Sequence, residues 1–260
     1  MSRTIVVTGA SSGIGAALAV QLASRGDQVV LAARRRAEIE RLATRLGPTA
    51  RAVVTDVTRR ADVVRLRDEA ISAFGGVDVW VNNAGRGISR PALDLTDAEF
   101  DEMMAVNVKS ALYGMQAVVP HFIERGRGLI VNVSSFLSRV PMATIRSGYN
   151  AAKAALNALT ANVRMDLAEP HPGIQVALVM PGLVTTEFAQ HAIHGTPPIR
   201  PGAGGAPPQT ADEVAAAIVG VIDHPVAEIF TNPVHAAIVR RYFEDVGRFE
   251  SELAQSQKRR

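Results

Sequence analysis

Short β-branched apolar runs alternate along the chain with longer stretches whose apolar residues recur every three or four positions. Runs bounded by glycine and polar residues read as strands buried on both faces, and the longer period reads as amphipathic helix. Strands are predicted at Thr4–Thr8, Gln28–Ala33, Ala52–Thr55, Val77–Val81, Leu129–Val133 and Ile174–Met180, with a short one at Glu228–Thr231. Helices are predicted over Gly13–Arg25, Ala37–Leu46, Arg59–Phe74, Asp97–Arg125 with a break near Pro120, Tyr149–Ala168, Ala211–Ile222 and His235–Leu253. Helices of this length between successive strands are crossovers, which parallel pairing requires. The expected fold class is therefore α/β. It is a doubly wound parallel sheet of about seven strands in a three-layer α/β/α arrangement, and residues 1–260 form one domain. The exception to the alternation is His191–Gln209, rich in proline and glycine, which cannot be regular structure. Such a loop reads as a lid or substrate loop, placed at about 187–210.

Composition narrows the classes. Cysteine is absent, which excludes disulfides, thiolate catalysis and Cys-ligated metal. The 28 basic and 25 acidic residues leave a net charge of only +3, although the pI is about 9.7. Arginine causes that, since the lysines are Lys109, Lys153 and Lys258 alone. With aromatics at 5 %, a basic face with stacking rings is not expected, and neither is nucleic-acid binding. No apolar run approaches the ~18–20 residues of a membrane span. The Met1-Ser2-Arg3 start runs directly into the first strand rather than into a secretory signal, so a soluble, cytoplasmic protein is expected. The stripe Ile238, Tyr242, Phe243, Val246 and Phe249 reads as a face packed on the domain or on a subunit neighbour, with a membrane-surface helix as the alternative.

The turn Thr8-Gly9-Ala10-Ser11-Ser12-Gly13-Ile14-Gly15 joins the first strand to the first helix. A dinucleotide pyrophosphate needs backbone it can approach closely and the free N–H groups of a helix N-terminus. Gly9 suits a tight turn, Gly13 the close approach and Gly15 the packing of helix against strand; a plain glycine turn is the alternative. A Rossmann-type sheet places such a turn at this point. Cofactor choice is written after the second strand, where an acidic side chain would bind the ribose 2′-hydroxyl. Here Ala33 is followed by Arg34, Arg35 and Arg36. Guanidinium groups suit a 2′-phosphate, so NADP(H) is expected ahead of NAD(H), with Arg34 and Arg35 as its ligands and Arg36 merely solvated. Tyr149 and Lys153 lie four apart at a predicted helix start, hence on one face. A neighbouring ammonium stabilises a phenolate and draws a phenol's pKa toward the working range.

Taken together the motifs resemble the short-chain dehydrogenase/reductase family. The glycine turn has TGxxxGxG spacing, and Asn82-Asn83-Ala84-Gly85 follows the fourth strand. Asn107 lies in a Val-Asn-Val stretch, Ser134-Ser135 ends the fifth strand, Tyr149 and Lys153 form YxxxK, and Pro181-Gly182-Leu183-Val184-Thr185-Thr186 ends the sixth strand. The resemblance covers about residues 4–188. It implies hydride transfer between a nicotinamide and a carbonyl or secondary alcohol substrate. Tyr149 is then the acid or base, and Lys153 tunes the tyrosine and holds the nicotinamide ribose. Ser135 holds the substrate oxygen, with Ser134 and Ser138 as substitutes, and Asn107 anchors a proton-relay water. Ser11, Ser12 and Ile14 of the turn, Asp56 and Val57 at the adenine, Asn83, Ala84 and Gly85 along the groove, and Pro181, Gly182, Val184 and Thr186 at the carboxamide complete the implied cofactor site. A homodimer or homotetramer is expected, although the glycine-rich closing signature of tetrameric members is missing. The reading from another class is a non-catalytic dinucleotide-binding regulator or scaffold on the same fold.

Fourteen residues separate Ser135 from Tyr149, about one more than the family pattern, so a modified loop is expected between them. Phe136, Leu137, Met142 and Ile145 within it form either a substrate wall or ordinary packing, with Phe188 and Ile193 in the lid favouring the wall. Trp80 is expected to pack under the sheet. Arg139 and Arg146 are weighed as contacts to an acidic substrate. His191 and His194, three apart, are weighed as metal ligands against an exposed or lid pair, and no metal is expected. The best substrate expectation is a neutral, fairly apolar carbonyl compound.

Overall fold

The computed structural model describes residues 2–195 and 207–258. Residues 196–206 of the expected lid, and the Arg259-Arg260 end, lie outside the described residues. β1 (Thr4–Thr8), β2 (Gln28–Ala33), β3 (Ala50–Val54), β4 (Val79–Asn82), β5 (Gly128–Val133) and β6 (Ile174–Met180) carry most of the sheet. β7 (Val184–Thr185) and β8 (Gln209–Thr210) form a separate two-stranded pair, and β9 (Glu228–Phe230) returns to the main sheet. Among the described residues the main sheet has seven strands in the order β3-β2-β1-β4-β5-β6-β9, every pair parallel. This is the expected Rossmann-type, doubly wound arrangement. The order reverses between β1 and β4, and there the C-terminal strand ends open a crevice.

Successive residues of each strand point to opposite faces, and both faces are covered. Ile5, Val7, Val29, Leu31 and Val131 pack with Leu18 and Leu22 of α1 (Gly13–Ser24), Ile39 of α2 (Arg36–Leu46) and Ile218 of α7 (Ala211–Asp223). Val6, Val30, Trp80 and Ile130 pack on the other side with Leu66 of α3 (Arg60–Phe74) and Met115, Val118 and Phe122 of α5 (Ser110–Arg125). Trp80 is fully buried under the sheet as expected, and its indole donates to Asn82 Oδ1 at 2.8 Å. Asn82 in turn donates to Asn132 at 2.8 Å, and Asn132 to Thr160 at 2.9 Å. The chain of buried amides ties β4, β5 and α6 (Ser147–Ala168) together below the crevice. No helix among the described residues is long and apolar enough to cross a membrane.

Several boundaries depart from the sequence expectation. β3 starts two residues early because Ala50 already pairs with Val29. β4 starts two late, since the Val77 amide donates to His121 Nε2 at 3.0 Å instead of to a strand. The stretch expected as one helix breaks at Ala105–Lys109, a π-helical turn after α4 (Asp97–Met104), and not at Pro120. Pro120 stays inside α5 on its exposed side, where water can take the carbonyl bond that proline cannot. The expected helix His235–Leu253 is two helices, α8 (Val234–Glu244) and α9 (Val246–Lys258), separated by the extended backbone of Asp245. Tyr242 and Phe249 meet edge to face at 5.4 Å and with Ile238 pack these two helices against Phe136 and Val140, while Phe243 and Val246 of the stripe stay exposed.

Candidate active site

The glycine turn fits a pyrophosphate on geometry. Gly9 has φ +68°, and a side chain there would meet Ala84 Cα at 2.9 Å. Gly15 admits no side chain either, because a Cβ would lie 2.4 Å from the Gly9 carbonyl oxygen. Gly15 thus packs helix against turn, where the sequence suggested helix against strand. The first turn of α1 carries no acidic residue and no side-chain cap, leaving its N–H groups for an anion. Thr8 ties this turn to the next: its Oγ1 accepts from the amides of Asn83 at 3.0 Å and Ala84 at 3.1 Å. Asn83 Nδ2 donates back to the Thr8 carbonyl at 2.9 Å. Thr8 escaped the sequence reading, although it stands first in the turn motif.

The arginines after β2 divide. Arg35 donates to Ser11 Oγ at 3.1 Å and to Ser12 Oγ at 2.6 Å, which holds its guanidinium against the glycine turn. Its Nη1 lies 3.9 Å from Glu187. Arg34 points outward and is exposed, so the position on the turn belongs to Arg35. Thr186 closes the other side of the turn, with its side chain 3.4 Å from the point a Gly13 Cβ would occupy. Ile14 packs against the core. Asp56 accepts from the Thr58 amide and hydroxyl at 3.0 and 2.7 Å, and Val57 is buried. Pro181 accepts from the Phe136 amide at 2.8 Å, joining the β6 turn to the segment after Ser135. The adjoining Gly182 is backed by the buried ring of His235, and Val184 lies in β7.

Tyr149, Lys153, Ser135 and Asn107 come together at the C-terminal end of β5. Tyr149 and Lys153 sit one turn apart at the start of α6, and both are buried. Ser135 lies beside the Tyr149 hydroxyl and favours its ionised form, and its Oγ accepts from the Leu137 amide at 3.2 Å. Burial pushes the Tyr149 phenol up to about 12, opposed by Ser135 and by the charge of Arg146. Burial draws the Lys153 ammonium down to about 8. Asn107 is held by its π-helical turn: Nδ2 donates to the Arg86 carbonyl at 3.0 Å and the Met103 carbonyl at 3.1 Å, and Oδ1 accepts from the Arg86 amide at 3.2 Å. Its Oδ1 lies 2.9 Å, and Lys153 Nζ 3.5 Å, from the point where a Gly85 Cβ would stand, so all three converge.

The alternatives to Ser135 point elsewhere. Ser134 donates to Asn157 Oδ1 at 2.6 Å, while Ser138 accepts from Asn157 Nδ2 at 2.7 Å. Of the proposed substrate wall, Phe136 and Met142 pack toward the C-terminal helices, and Leu137 reaches the Tyr149 cluster together with Ile88 and Ile193. Arg139 is paired with Glu228 and does not serve the crevice. Phe188 stands edge-on to Tyr149 with ring centres 5.7 Å apart. The segment carrying it is pinned on residues 87–90. Ile193 N donates to the Gly87 carbonyl at 3.0 Å, and Ser89 Oγ donates to the Gly195 carbonyl at 2.6 Å. His194 pairs with Glu99, which also holds Arg90 at 3.2 Å. His194 is therefore a clamp residue, and no group of three His, Cys, Asp or Glu among the described residues could hold a metal.

Known proteins resemble the chain in sequence and in fold. The family profile described as short chain dehydrogenase matches residues 3–196. The uncharacterised oxidoreductase YxnA of Bacillus subtilis is 35% identical over 240 residues, 91% of this chain and 67% of its own. A short-chain dehydrogenase/reductase of Burkholderia phymatum, solved in complex with NAD, superposes with a TM-score of 0.84 at 27% identity, covering 95% of this chain and 94% of its own. A short-chain dehydrogenase of Burkholderia cenocepacia, solved in complex with NADP, gives a TM-score of 0.79 at 28% identity and covers 97% of both chains.

Proposed function

The chain belongs to the short-chain dehydrogenase family of oxidoreductases, and from that premise we propose that it is an NADP(H)-dependent enzyme interconverting a carbonyl compound and a secondary alcohol. The single observation that carries this reading is the buried set of Tyr149, Ser135 and Lys153 facing a crevice whose glycine turn leaves the first N–H groups of α1 without a side-chain cap. The free N–H groups of α1 and the turn at Gly9 and Gly13 would hold the pyrophosphate. Arg35, with Ser11 and Ser12, would hold the 2′-phosphate, and Arg34 would add charge from the rim. Asn83, Ala84 and Gly85 would line the groove, Asp56 and Val57 the adenine end, and Pro181, Gly182, Val184 and Thr186 the carboxamide end. When bound, the cofactor supplies or accepts the hydride at the carbonyl carbon.

The chain's own part is proton management. In reduction Ser135 donates to the substrate oxygen and orients it, stabilising the charge that develops there. Tyr149 gives its hydroxyl proton to that oxygen, whose former C=O π pair becomes the new O–H bond. A phenolate is left on Tyr149. Its neighbour Lys153, held by the Val133 carbonyl at 2.8 Å, stabilises the phenolate, and the proton is restored through the lysine and the water that Asn107 would anchor. Phe188, Ile88, Leu137 and Ile193 beside Tyr149 favour a neutral, fairly apolar substrate. The test is fluorescence titration with NADPH and NADH side by side, followed by a panel of ketones and aldehydes. Tight NADPH binding with turnover supports the reading; binding without turnover of any carbonyl favours a regulator instead.

A further inference from the structure

Arg146 occupies the residue before α6, one turn ahead of Tyr149. Its backbone is fixed: Arg146 N donates to the Ala143 carbonyl at 2.9 Å, and the preceding carbonyl of Ile145 accepts from Arg90 N at 2.7 Å. Its side chain is fixed as well, since Nη1 donates to the Ile88 carbonyl at 3.3 Å. Gly87 makes the space. A Cβ there would lie 2.8 Å from Arg146 Nη1 and 3.0 Å from Phe188 Cε1, so guanidinium and ring share the room that the glycine leaves beside Tyr149.

We propose that Arg146 is a positioning residue of this site, a fixed positive charge beside Tyr149 that favours the phenolate left when the phenol gives up its proton. The inference rests on Tyr149 as the acid and adds a second cation to the lysine. Arg86 pairs with Glu102, Arg90 with Glu99 and His194, and Glu187 faces Arg35. Lys153 acts from one turn further along α6, with Nζ 5.7 Å from the ring centre. Ser135, the other polar neighbour of the phenol, carries no charge. The N-terminal end of α6 adds its partial positive charge in the same direction as Arg146. The interaction with Arg146 holds the phenol below where burial alone would leave it. Burial also strengthens it, because a half-buried guanidinium is less screened than an exposed one.

The chain has three tyrosines, so protein labelled with ¹³C at tyrosine Cζ gives three resonances, and Tyr149→Phe identifies the one that matters. We expect Arg146→Gln to move the Tyr149 titration upward by about one pH unit, which is about a tenfold loss of phenolate at a fixed pH. Arg146→Lys, which keeps the charge, should stay near wild type, and Tyr113 and Tyr242 should not move in either. An Arg146→Gln protein whose Tyr113 and Tyr242 signals are native but whose Tyr149 titrates as in wild type overturns the proposal. Should that variant not fold, Gly87→Ala decides, because its methyl group displaces the guanidinium. An upward shift supports the proposal, and an unchanged titration ends it. Carbonyl reduction by Tyr149→Phe separates the two claims. Retained turnover removes Tyr149 as the acid, whereas a dead Tyr149→Phe with an unmoved Arg146→Gln titration removes only the role of Arg146.

Discussion

Lys153 donates to the Val133 carbonyl at 2.8 Å while its Nζ stands 5.7 Å from the centre of the Tyr149 ring. The strand therefore fixes the ammonium, and the helix fixes the phenol one turn away. Burial moves the two groups in opposite senses, because it disfavours whichever form is charged.

That opposition has a consequence for stability. Burial lowers Lys153 from 10.5 to about 8, so between those values the unfolded chain binds more protons than the folded one. Stability should rise with pH in that range. Tyr149 is raised from 10.0 to about 12, so above pH 10 the folded chain binds more protons and stability should fall. The window from about pH 8 to 10 isolates the lysine, with a slope of up to about 1.4 kcal/mol per pH unit. Urea unfolding of wild type and Lys153→Met across that window checks this. The rise should vanish in the variant, and a rise that persists assigns the effect to another group.

Arg35 bridges Ser11 and Ser12 on the glycine turn, whereas Arg34 points to solvent. Arg35→Ala should weaken NADPH binding about ten- to a hundredfold, the value of charge-assisted hydrogen bonds to a phosphate, and NADH binding far less. Arg34→Ala should give a smaller NADPH effect. Equal losses for both cofactors, measured by fluorescence titration, would remove the 2′-phosphate role.

Thr8 accepts from two backbone amides at the Asn83-Ala84 turn. Thr8→Val keeps the shape and leaves both donors without their acceptor. A loss of about 1–3 kcal/mol in unfolding free energy is expected, with weaker cofactor binding. Unaltered cofactor affinity in a destabilised variant would show that Thr8 serves the fold only.

Glu99 caps α4 through Thr96 and also holds Arg90 and His194. These contacts pull its carboxyl down to about 2, the His194 hydrogen bond contributing most. Glu99→Gln should speed hydrogen exchange at the Ile193 amide, which depends on the docked segment for its bond to Gly87, and should raise KM more than it lowers kcat. Unchanged exchange at Ile193 would separate the clamp from the segment it is argued to hold.

The sheet and its helices were legible because a two-face-buried strand needs a continuous apolar run, and each run here is followed by a helix of crossover length. Gly9, Tyr149 and Lys153 stood out by spacing, whereas Asn83 and Ser135 were marked by the motifs of the family the chain resembles. What stayed hidden depends on contacts distant in sequence. The division of labour between Arg34 and Arg35 is decided by the hydroxyls of Ser11 and Ser12, more than twenty positions back. Ser134 and Ser138 are distinguished from Ser135 by Asn157, one turn beyond Lys153 on α6. His235, buried against Gly182 and stacked on Phe136 at 4.1 Å, carries no local signal at all. The π-helical turn that seats Asn107 shifts the helix by a residue, which periodicity cannot resolve.

The most direct measurement follows the loss of reduced-nicotinamide absorbance when purified wild type and Tyr149→Phe meet NADPH and a panel of apolar ketones and aldehydes. Wild type should consume NADPH with at least one of them. Tyr149→Phe should lose at least about a hundredfold in kcat, the contribution of a positioned general acid, while binding NADPH as wild type does. A Tyr149→Phe protein that reduces the same substrate at the wild-type rate would contradict the account.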